Sequence, residues 1–347
     1  MTPNELGAIP ESLYPWMLAT GAAVWLLVLA ILVRRLWSAL RGRTREDIDG
    51  RWVVVTGCDA GFGRGIIEAL IARKARVVAF CLTPEGAAAA LEAGAARAPC
   101  LDLADDDALA LAAREVGTDC GGELWGVVHN AGVVLPGFVD YQPISFYRTV
   151  MAVNFFAPVL LTQKLLPCLR RRGGRVVLVR SVDGIVSLPG NAPYDASKFA
   201  LEAYADALRA ELSFWRISVS VINPSTMRTP MSSGFFEAHR KAWEEMARID
   251  PDGAWRSAWT KEWLADYIAL NTRQLKRIAQ DPKPVIDDIV HALTAVRPRL
   301  RYLSGILAKT LFYALWVGPE SWSLRFKRAM IQPPPRVDSS GGAPGAD

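Results

Sequence analysis

Short apolar runs alternate with longer amphipathic stretches over most of this chain, and this alternation restricts its fold more than any other feature. The runs are rich in Val, Ile and Leu, as strands are when helices cover both faces of a sheet. Regular alternation of strand and helix is typical of βαβ units in a parallel sheet. We therefore predict strands at Trp52–Thr56, Arg76–Phe80, Ala98–Leu101, Leu124–His129, Arg175–Val179 and Ser218–Ile222.

The stretches between these runs have the apolar spacing of helices. The clearest predicted helices are Phe146–Leu169, Pro193–Phe214 and Val285–Val296. The predicted fold class is α/β, with a doubly wound parallel sheet in a single catalytic domain over residues 50–300. Residues 331–347 are rich in Pro, Gly and Ser, which predicts a disordered tail.

The segment Ser12–Val33 carries no charged residue. As a helix from Trp16 it would span about 27 Å at ~1.5 Å per residue, close to a hydrocarbon core of about 30 Å. No Lys or Arg precedes it, which argues against a signal peptide and a mitochondrial presequence. We predict an extracytosolic N-terminus (residues 1–11), a transmembrane anchor (12–33) and a basic linker (34–49). A buried core helix is the alternative.

The net charge of +5 has a local origin. Five arginines without an intervening acid follow the apolar segment: Arg34, Arg35, Arg41, Arg43 and Arg45. They account for the whole excess, so no basic surface for nucleic acid is predicted. Positive flanks face the cytosol, which places the long C-terminal part there. Five scattered Cys and three scattered His predict neither disulfides nor a metal site.

A glycine-rich loop follows the first strand, in the order Gly57, Gly61 and Gly63, and leads into a helical stretch. Glycines allow a tight turn and a close approach to a pyrophosphate, which the helix N-terminus attracts. Glycine loops also occur in plain strand–helix turns. Its position in the first βαβ unit favours a dinucleotide site in a Rossmann fold.

Further motifs follow the glycine loop in order: HNAG at 129–132, Asn154, and Ser181 ahead of the pair Tyr194-x-x-x-Lys198. This set resembles the short-chain dehydrogenase/reductase family. The phrases TGCDAGFG, LWGVVHNAG, YDASKFALEAYADALRAEL and HALTAVRPRLRY resemble the branch of membrane-bound retinol and hydroxysteroid dehydrogenases and mitochondrial 3-hydroxybutyrate dehydrogenase. The resemblance covers about residues 50–315.

The resemblance implies a nicotinamide dinucleotide cofactor. The residues expected to bind it are Gly57, Asp59, Gly61, Phe62, Gly63, Asp102, Asn130, Ala131, Gly132, Tyr194, Lys198 and Thr229. The end of the second strand, residues 80–83, has no base to pair with a 2′-phosphate, and Asp59 would repel one. We therefore expect NAD, with NADP remaining open. Asp102 could instead be a solvated residue ahead of a helix.

Tyr194 and Lys198 share one face of a helix, where the ammonium is expected to lower the pKa of the phenol. The resemblance implies that Tyr194 is the general base, that Ser181 holds the substrate oxygen, and that Asn154 belongs to a proton relay. Lys198 would also hold the nicotinamide ribose. An alcohol would then lose its hydroxyl proton to Tyr194 as hydride leaves for the cofactor.

Besides Ala157, which stands where relatives have Gly and is a minor packing change, two residues depart from the family pattern. His129 replaces Asn in NNAG, and we expect a buried, hydrogen-bonded histidine there. Arg180 replaces a small polar residue before Ser181. Strand alternation puts Arg180 on the opposite face, where we expect an ion pair. An Arg180 that reached the pocket would favour an anionic substrate.

Residues 225–284 form the segment that covers the substrate in this family. Their large aromatic residues are Phe235, Phe236, Trp243, Trp255, Trp259 and Trp263. The last three have helical spacing and would form either the core of the lid or an apolar wall for a lipophilic alcohol. Tyr302–Val317, within a membrane-associated segment 301–330, predicts an interfacial helix and a substrate entrance facing the bilayer.

The sequence thus predicts an NAD-dependent dehydrogenase of hydrophobic alcohols, of retinoid or hydroxysteroid type. Two alternatives remain open: a 3-hydroxybutyrate dehydrogenase, and an inactive membrane-bound binding or scaffold protein. The expected partners are a lipophilic substrate, membrane lipid and, as in many relatives, a second copy of the chain. The expected location is the endoplasmic reticulum membrane, with a single pass and a cytosolic catalytic domain.

Overall fold

A six-stranded parallel sheet forms the centre of the computed structural model, which describes residues 14–41 and 47–331. Its strands are β1 (Trp52–Thr56), β2 (Arg76–Phe80), β3 (Gly126–His129), β4 (Arg175–Val179), β5 (Ser218–Pro224) and β6 (Arg301–Ser304). Their order is β2-β1-β3-β4-β5-β6. The prediction of a doubly wound parallel sheet is confirmed. The chain changes direction across the sheet between β1 and β3, where such folds bind ligands at the carboxyl ends of the strands.

Helices cover both faces of the sheet. The described residues form fifteen α-helices. The first, α1 (Tyr14–Arg41), belongs to a separate unit, and the next seven are α2 (Gly61–Ile71), α3 (Pro84–Glu92), α4 (Asp106–Asp119), α5 (Ile144–Met151), α6 (Ala157–Arg170), α7 (Ala192–Leu212) and α8 (Pro230–Ser233). The others are α9 (Phe235–Ile249), α10 (Trp255–Ala258), α11 (Lys261–Ile278), α12 (Lys283–Thr294), α13 (Ile306–Lys309), α14 (Leu311–Val317) and α15 (Glu320–Met330).

Strand side chains alternate between two apolar clusters. Val53 and Val55 pack with residues of α2 and α12, whereas Val54 and Val127 pack with residues of α4, α6 and α7. All four valines are fully buried. This burial on both faces explains why the strands appear in the sequence as continuous apolar runs.

The predicted strand Ala98–Leu101 was wrong. The segment runs beside the edge strand β2, where Ala79 N donates to Arg97 O at 2.8 Å and Cys81 N donates to Pro99 O at 3.0 Å. Pro99 has no N–H to return, so the ladder breaks and only isolated bridges remain.

The C-terminal segment also differs from its prediction. Arg301–Ser304 is the edge strand β6, paired in parallel with β5, and not the start of a membrane helix. Tyr302 is 2% exposed. Its hydroxyl oxygen lies 2.7 Å from His291 Nδ1 and accepts from Arg299 N at 3.0 Å. The expected helix up to Val317 is divided into α13 and α14.

The predicted helix Phe146–Leu169 is present but interrupted. A π-helical turn, Ala152–Phe156, separates α5 from α6. Such turns are uncommon and frequently mark functional sites. The helices predicted over Pro193–Phe214 and Val285–Val296 correspond to α7, with a following 3₁₀ turn, and to α12.

The tryptophans at 255, 259 and 263 do not form one helical stripe. Trp255 lies in α10, Trp263 lies in α11, and Trp259 caps the end of α10. Their rings pack on Tyr141 and Phe138, so they form the core of the lid. Of the two interpretations left open by the sequence, core packing is the one observed for these tryptophans.

The helix α1 forms a unit of its own, and its apolar stretch Leu18–Val33 has exposed side chains. Residues 1–13, 42–46 and 332–347 lie outside the described residues. The predicted extracytosolic segment, Arg43, Arg45 and nearly all of the predicted tail fall there. Within the described part, one helical stretch, Ile144–Arg170, has the length and hydropathy of a membrane span. Its buried residues Leu161, Leu165 and Leu169 belong to one of the two apolar clusters that pack on the sheet.

Candidate active site

The glycine loop connects β1 to α2 at the carboxyl edge of the sheet. Gly57 and Gly61 have φ angles of +70° and +60°, which favour glycine. No side chain caps the start of α2, and its first turn contains no acidic residue. The first N–H groups of α2 therefore face outward without a side-chain acceptor, an arrangement that fits a dinucleotide pyrophosphate.

Two of these glycines leave no room for a side chain. A Cβ atom on Gly63 would lie 1.9 Å from Gly57 O, and one on Gly57 would lie 2.7 Å from Ala131 Cα. The loop therefore packs its backbone directly against the HNAG segment. This contact joins two motifs that are far apart in the sequence.

Asn130 and Thr56 fix that contact with hydrogen bonds. Asn130 Nδ2 donates to Thr56 O at 2.9 Å and to Gly57 O at 3.0 Å. Thr56 Oγ1 accepts from the backbone N of Asn130 at 3.1 Å and of Ala131 at 3.0 Å. The sequence analysis missed Thr56 as a site residue, because nothing in its local pattern shows which distant amides it accepts from.

Asp59 extends from the loop to the end of β2. Its carboxylate accepts from Leu82 N at 2.9 Å, and from Thr83 N at 2.9 Å and Thr83 Oγ1 at 2.8 Å. Partial burial raises its pKa, but the hydrogen bonds from Leu82 and Thr83 outweigh burial and leave the pKa below its ordinary value. A fixed negative charge therefore stands where β2 ends.

Three other predicted cofactor residues take different positions. Phe62 and Thr229 line one cavity, and a Cβ on Gly61 would lie 3.9 Å from Thr229 Cβ. Thr229 also begins α8 by accepting from Ser232 N at 3.2 Å. Asp102 is exposed and accepts from Ala104 N at 2.9 Å. The cap of α4 is Asp105, not Asp102.

Asn154 lies in the π-helical turn and is fully buried. Its Oδ1 accepts from Val133 N at 2.8 Å, and its Nδ2 donates to Val133 O and to Ser197 Oγ, both at 3.0 Å. Ser197 Oγ donates to Tyr194 O at 2.6 Å. Ser197, which the sequence analysis did not single out, therefore links Asn154 to the helix of Tyr194.

Ser181, Tyr194 and Lys198 converge at the carboxyl ends of β4 and β5. Lys198 Nζ lies 5.2 Å from the centroid of the Tyr194 ring and donates to Val179 O at 3.1 Å. Asn223 Nδ2 donates to Ser181 O at 2.9 Å and holds the backbone of Ser181. A side chain at Gly132 would lie 3.4 Å from Asn154 Oδ1 and 3.5 Å from Lys198 Nζ. The predicted catalytic residues are thus brought together.

The ionisation of Tyr194 differs from the sequence expectation. Burial raises the pKa of its phenol above the ordinary value, and the charge of Asp183 raises it further. A hydrogen bond with the Ser181 side chain and the charge of Arg180 act in the opposite direction. Burial also lowers the pKa of Lys198 to about 7, with a further contribution from Arg180. In this chain alone, burial outweighs the expected effect of the ammonium on the phenol.

Both departures from the family pattern have partners. His129 Nε2 lies 2.8 Å from Thr162 Oγ1, and burial lowers the His129 pKa to about 3, so the ring is neutral. Arg180 is 2% exposed and forms an ion pair with Glu202. The expectation of a buried, hydrogen-bonded histidine and of a paired arginine agrees with these contacts. The expectation that Arg180 faces away from the pocket was wrong, because Arg180 and Ser181 line the same cavity; its charge there is paired with Glu202.

A cavity of about 290 Å³ opens beside Ser181 and Tyr194. Its residues from the lid and the C-terminal helices include Phe235, Phe236, Tyr267, Phe312, Phe326 and Met330. The phenylalanines of the lid thus line the cavity, whereas its tryptophans do not. Asp183 is the one charged lining residue without an ion pair in the part of the chain that the structure describes. Neither Asp183 nor the C-terminal lining residues could be identified from the sequence pattern.

Comparison with known proteins gives a consistent result. A family model described as short chain dehydrogenase matches residues 51–240. Retinol dehydrogenase 16 of Mus musculus is 35% identical over 298 residues, which cover 84% of this chain and 92% of that protein. The 17-beta-hydroxysteroid dehydrogenase type 6 of Bos taurus is 33% identical over 306 residues, covering 85% and 94%.

Solved structures agree. The crystal structure of a short-chain dehydrogenase from Streptomyces avermitilis is 27% identical, with a TM-score of 0.63, and covers 81% of this chain and 95% of that one. The matched residues 51–240 contain the glycine loop, the HNAG segment and the Ser181, Tyr194 and Lys198 cluster. This chain belongs to the short-chain dehydrogenase family.

Proposed function

We propose that this chain is an NAD-dependent dehydrogenase of hydrophobic alcohols, of the retinoid or hydroxysteroid class. The observation that carries the proposal is a mainly apolar cavity with Ser181 and Tyr194 on its wall and Phe62 and Thr229, beside the glycine loop, on the same cavity. Ligand sites are mostly apolar with a few converging polar groups. The names of the retinol and hydroxysteroid dehydrogenase relatives agree with such a substrate.

The side chains divide the reaction between them. Ser181 Oγ holds the substrate oxygen, and Tyr194 takes the hydroxyl proton as the alcohol is oxidised. Val133 and Ser197 hold Asn154 in the π-helical turn. From this position beside Lys198, Asn154 would take part in the passage of the proton to solvent. When bound, an oxidised nicotinamide would accept the hydride, and its positive charge would favour the phenolate. Lys198 would hold its ribose.

NAD is the cofactor we propose, rather than NADP. The carboxylate of Asp59 is fixed at the end of β2 by Leu82 and Thr83, next to the expected position of the adenosine ribose. A 2′-phosphate there would meet this negative charge. A binding titration with each nucleotide tests this preference. The dissociation constant should be lower for NAD than for NADP, and Asp59→Asn should reduce the ratio of the two constants. Tighter binding of NADP would overturn it.

Charge around the cavity disfavours 3-hydroxybutyrate. Recognition of its carboxylate requires an available cation, but Arg180 is paired with Glu202 and Asp183 adds a negative charge. The alternative of a scaffold without catalysis requires none of the Ser181, Tyr194 and Lys198 geometry. We therefore favour the lipophilic alcohol over both alternatives.

The experiment is a turnover assay of the full chain in membranes with NAD and with NADP. The panel contains retinol, 3α- and 17β-hydroxysteroids and 3-hydroxybutyrate. We expect turnover of at least one lipophilic alcohol with NAD. Turnover of 3-hydroxybutyrate alone would overturn the proposed substrate class, whereas NAD binding without any turnover would favour the scaffold.

We also propose a single-pass membrane protein of the endoplasmic reticulum, with residues 12–33 as the anchor and a cytosolic catalytic domain. A second membrane contact is proposed at α14 and α15, where Val317 and Trp322 are 61% and 59% exposed and Arg325 and Arg328 are exposed on the same segment. Aromatic and basic side chains together suit a lipid headgroup region. Because α14 and α15 also line the cavity, the substrate would enter from the bilayer.

Deletion of residues 1–45 tests this arrangement. The shortened chain should remain partly in the membrane fraction, and Trp322→Glu in the same chain should release it. Complete solubility after the deletion alone would contradict the second contact. Glycosylation sites added before residue 11 or after residue 331 report the orientation: modification is expected at the first position and not at the second.

A homodimer through the long helices is a further part of this proposal. Phe156 at the start of α6 and Phe199 in α7 are 54% and 43% exposed, although both are large apolar side chains. Their burial in a second copy would remove this apolar surface from water. Light scattering of the detergent-solubilised chain should give twice the chain mass, and Phe199→Glu should give the monomer mass.

A further inference from the structure

Arg180 has no role of its own in the proposed reaction. It follows β4 directly and precedes Ser181, and its side chain is completely buried. A buried guanidinium is costly unless its hydrogen bonds and charge are satisfied. The contacts of Arg180 beside the catalytic cluster must therefore offset this cost.

Its hydrogen bonds join the two segments that carry the catalytic side chains. Arg180 Nε donates to Lys198 O at 3.0 Å, and Arg180 Nη2 donates to Gly184 O at 2.8 Å. Lys198 belongs to α7, whereas Gly184 ends the 3₁₀ turn that follows Ser181. A Cβ on Gly184 would lie 2.9 Å from Lys198 O, so the two backbones are in close contact at this point.

The guanidinium is itself held in place by a charged partner. Glu202, one turn after Lys198 on α7, forms ion pairs with Arg180 and with Arg301 of β6. Two arginines therefore share one carboxylate, and the local balance is positive by one charge. Only Arg180 of the two contacts the backbone of Lys198.

We propose that Arg180 is a positioning residue for hydride transfer: it fastens the helix of Tyr194 and Lys198 to the turn of Ser181 and places a positive charge beside both segments. One side chain can do both, because Arg180 donates hydrogen bonds to Lys198 O in the helix and to Gly184 O in the turn. The inference rests on the proposed role of Tyr194 as the base, and not on the identity of the alcohol.

The charge of Arg180 acts on both ionisable catalytic groups in the same direction. It lowers the pKa of Tyr194 against the effect of burial, and it adds to the effect of burial in lowering the pKa of Lys198. The other charged groups around this cluster come from the turn after β4, α7, β6 and α15, and they are Asp183, Asp195, Glu202, Asp206, Arg209, Arg301 and Lys327. Of these, Asp183 and Asp195 oppose the phenolate when they are ionised, and burial raises their pKa values to about 6 and to about 9.

The sign of the expected pH effect follows from these charges. Alcohol oxidation requires Tyr194 to accept a proton, so its rate falls as the phenolate becomes protonated at low pH. Removal of the Arg180 charge raises the pKa of Tyr194 directly. It also raises the pKa of Lys198, but on the acid limb Lys198, with a pKa of about 7, is already largely protonated, so this rise adds little charge there. We therefore expect the acid limb of the kcat profile to move to higher pH. A loss of structure alone would lower kcat at every pH without moving that limb.

Three variants of the full chain separate charge from position. Arg180→Gln removes the charge, and we expect the acid limb to move up by about one pH unit, which is about tenfold in kcat at a fixed pH on that limb. Arg180→Lys keeps the charge but loses the forked hydrogen bonds. It should leave the limb in place and lower kcat by about threefold or more throughout, in line with losses from small misplacement of catalytic groups.

Arg301→Gln is the matched control. It removes a positive charge from the same carboxylate but breaks no bond to Lys198 O, so we expect the limb to stay in place. The NAD dissociation constant, measured in parallel, should change less than about twofold in all three variants, because none removes a cofactor contact. Any alcohol of the panel that turns over can serve as the substrate.

Two results would overturn the inference: an acid limb that does not move in Arg180→Gln, or an equal shift in Arg301→Gln. If Arg180→Gln fails to fold, Arg180→Lys decides the positioning part, and an unchanged kcat in that variant overturns it. Activity in Tyr194→Phe would refute the assigned base instead. The two failures are therefore distinguishable.

Discussion

The nucleotide end of the sheet and the lid over the substrate cavity are built in opposite ways. Around the glycine loop, side chains such as Asn130 and Asp59 have their polar atoms bonded to backbone groups. In the lid region, the buried Tyr141 Oη, Trp255 Nε1 and both ring nitrogens of His239 have no partner among the described residues. Each such atom costs about 1–3 kcal/mol.

The two regions differ in which atoms must keep fixed positions. The nucleotide end depends on backbone positions that a single Cβ would disturb, so its hydrogen bonds have fixed partners. The lid is an aromatic cluster whose stacked rings bury apolar surface without directional hydrogen bonds. The ring centroids of Phe138 and Trp259, for example, are 4.6 Å apart. We therefore expect substitutions at the nucleotide end to abolish function and those in the lid to change substrate affinity.

The largest effect is expected for Gly63→Ala. Its Cβ would lie 1.9 Å from Gly57 O, which the packed loop cannot accommodate. NAD binding should be lost, and thermal unfolding should show a loss of about 3 kcal/mol or more, at the upper end of overpacking effects. Gly117→Ala in α4 is the control, because its Cβ would meet only Cys168 Sγ at 3.6 Å. NAD binding by Gly63→Ala at normal affinity would contradict the comparison.

A lid substitution should change affinity for the alcohol and leave the cofactor unaffected. Phe236→Ala removes a ring that lines the cavity, and KM for a lipophilic alcohol should rise about tenfold, from the loss of roughly 1.5 kcal/mol of apolar contact. Trp263→Ala removes a buried ring outside the lining, so it should cost about 3–5 kcal/mol of stability. Equal effects of both variants on KM and on NAD affinity would contradict the proposed difference between residues that line the cavity and residues of the lid core.

Two hydroxyl deletions compare the regions on the smallest scale. Thr56→Val removes an acceptor of two backbone N–H groups and should lower the free energy of unfolding by about 2 kcal/mol. Tyr141→Phe removes a buried hydroxyl that makes no hydrogen bond within 3.5 Å to any described residue, and the change should be neutral or stabilising by up to about 1 kcal/mol. Denaturant unfolding measures both. A larger loss for Tyr141→Phe than for Thr56→Val would reverse the comparison.

The strands differ in how well the sequence could predict them. The bounds of β1, β2 and β4 were predicted to the residue, because strands covered on both faces form continuous apolar runs. Ala98–Leu101 failed since Pro99 removes one donor from an otherwise extended edge. The strand β6 was missed because it has only four residues, and its pairing with β5 depends on the whole sheet.

The candidate site shows a similar limit. Glycines, Tyr194 and Lys198 lie in local motifs whose spacing carries the chemistry, so the sequence identifies them. Thr56 and Ser197 act through atoms that are distant in the chain, and Phe312 reaches the cavity only because the C-terminal helices fold back onto it. Such contacts depend on tertiary packing, which no local pattern encodes.

Tyr194 is the proposed base of a nicotinamide-dependent alcohol dehydrogenase, and this role can be measured directly. The direct measurement is kcat and NAD affinity of Tyr194→Phe in the full chain, with the alcohol of the panel that turns over best. We predict a fall in kcat of about a thousandfold, within the range of general base catalysis, and an NAD dissociation constant within about twofold of the unaltered value. Retained turnover at normal NAD affinity would contradict the claim.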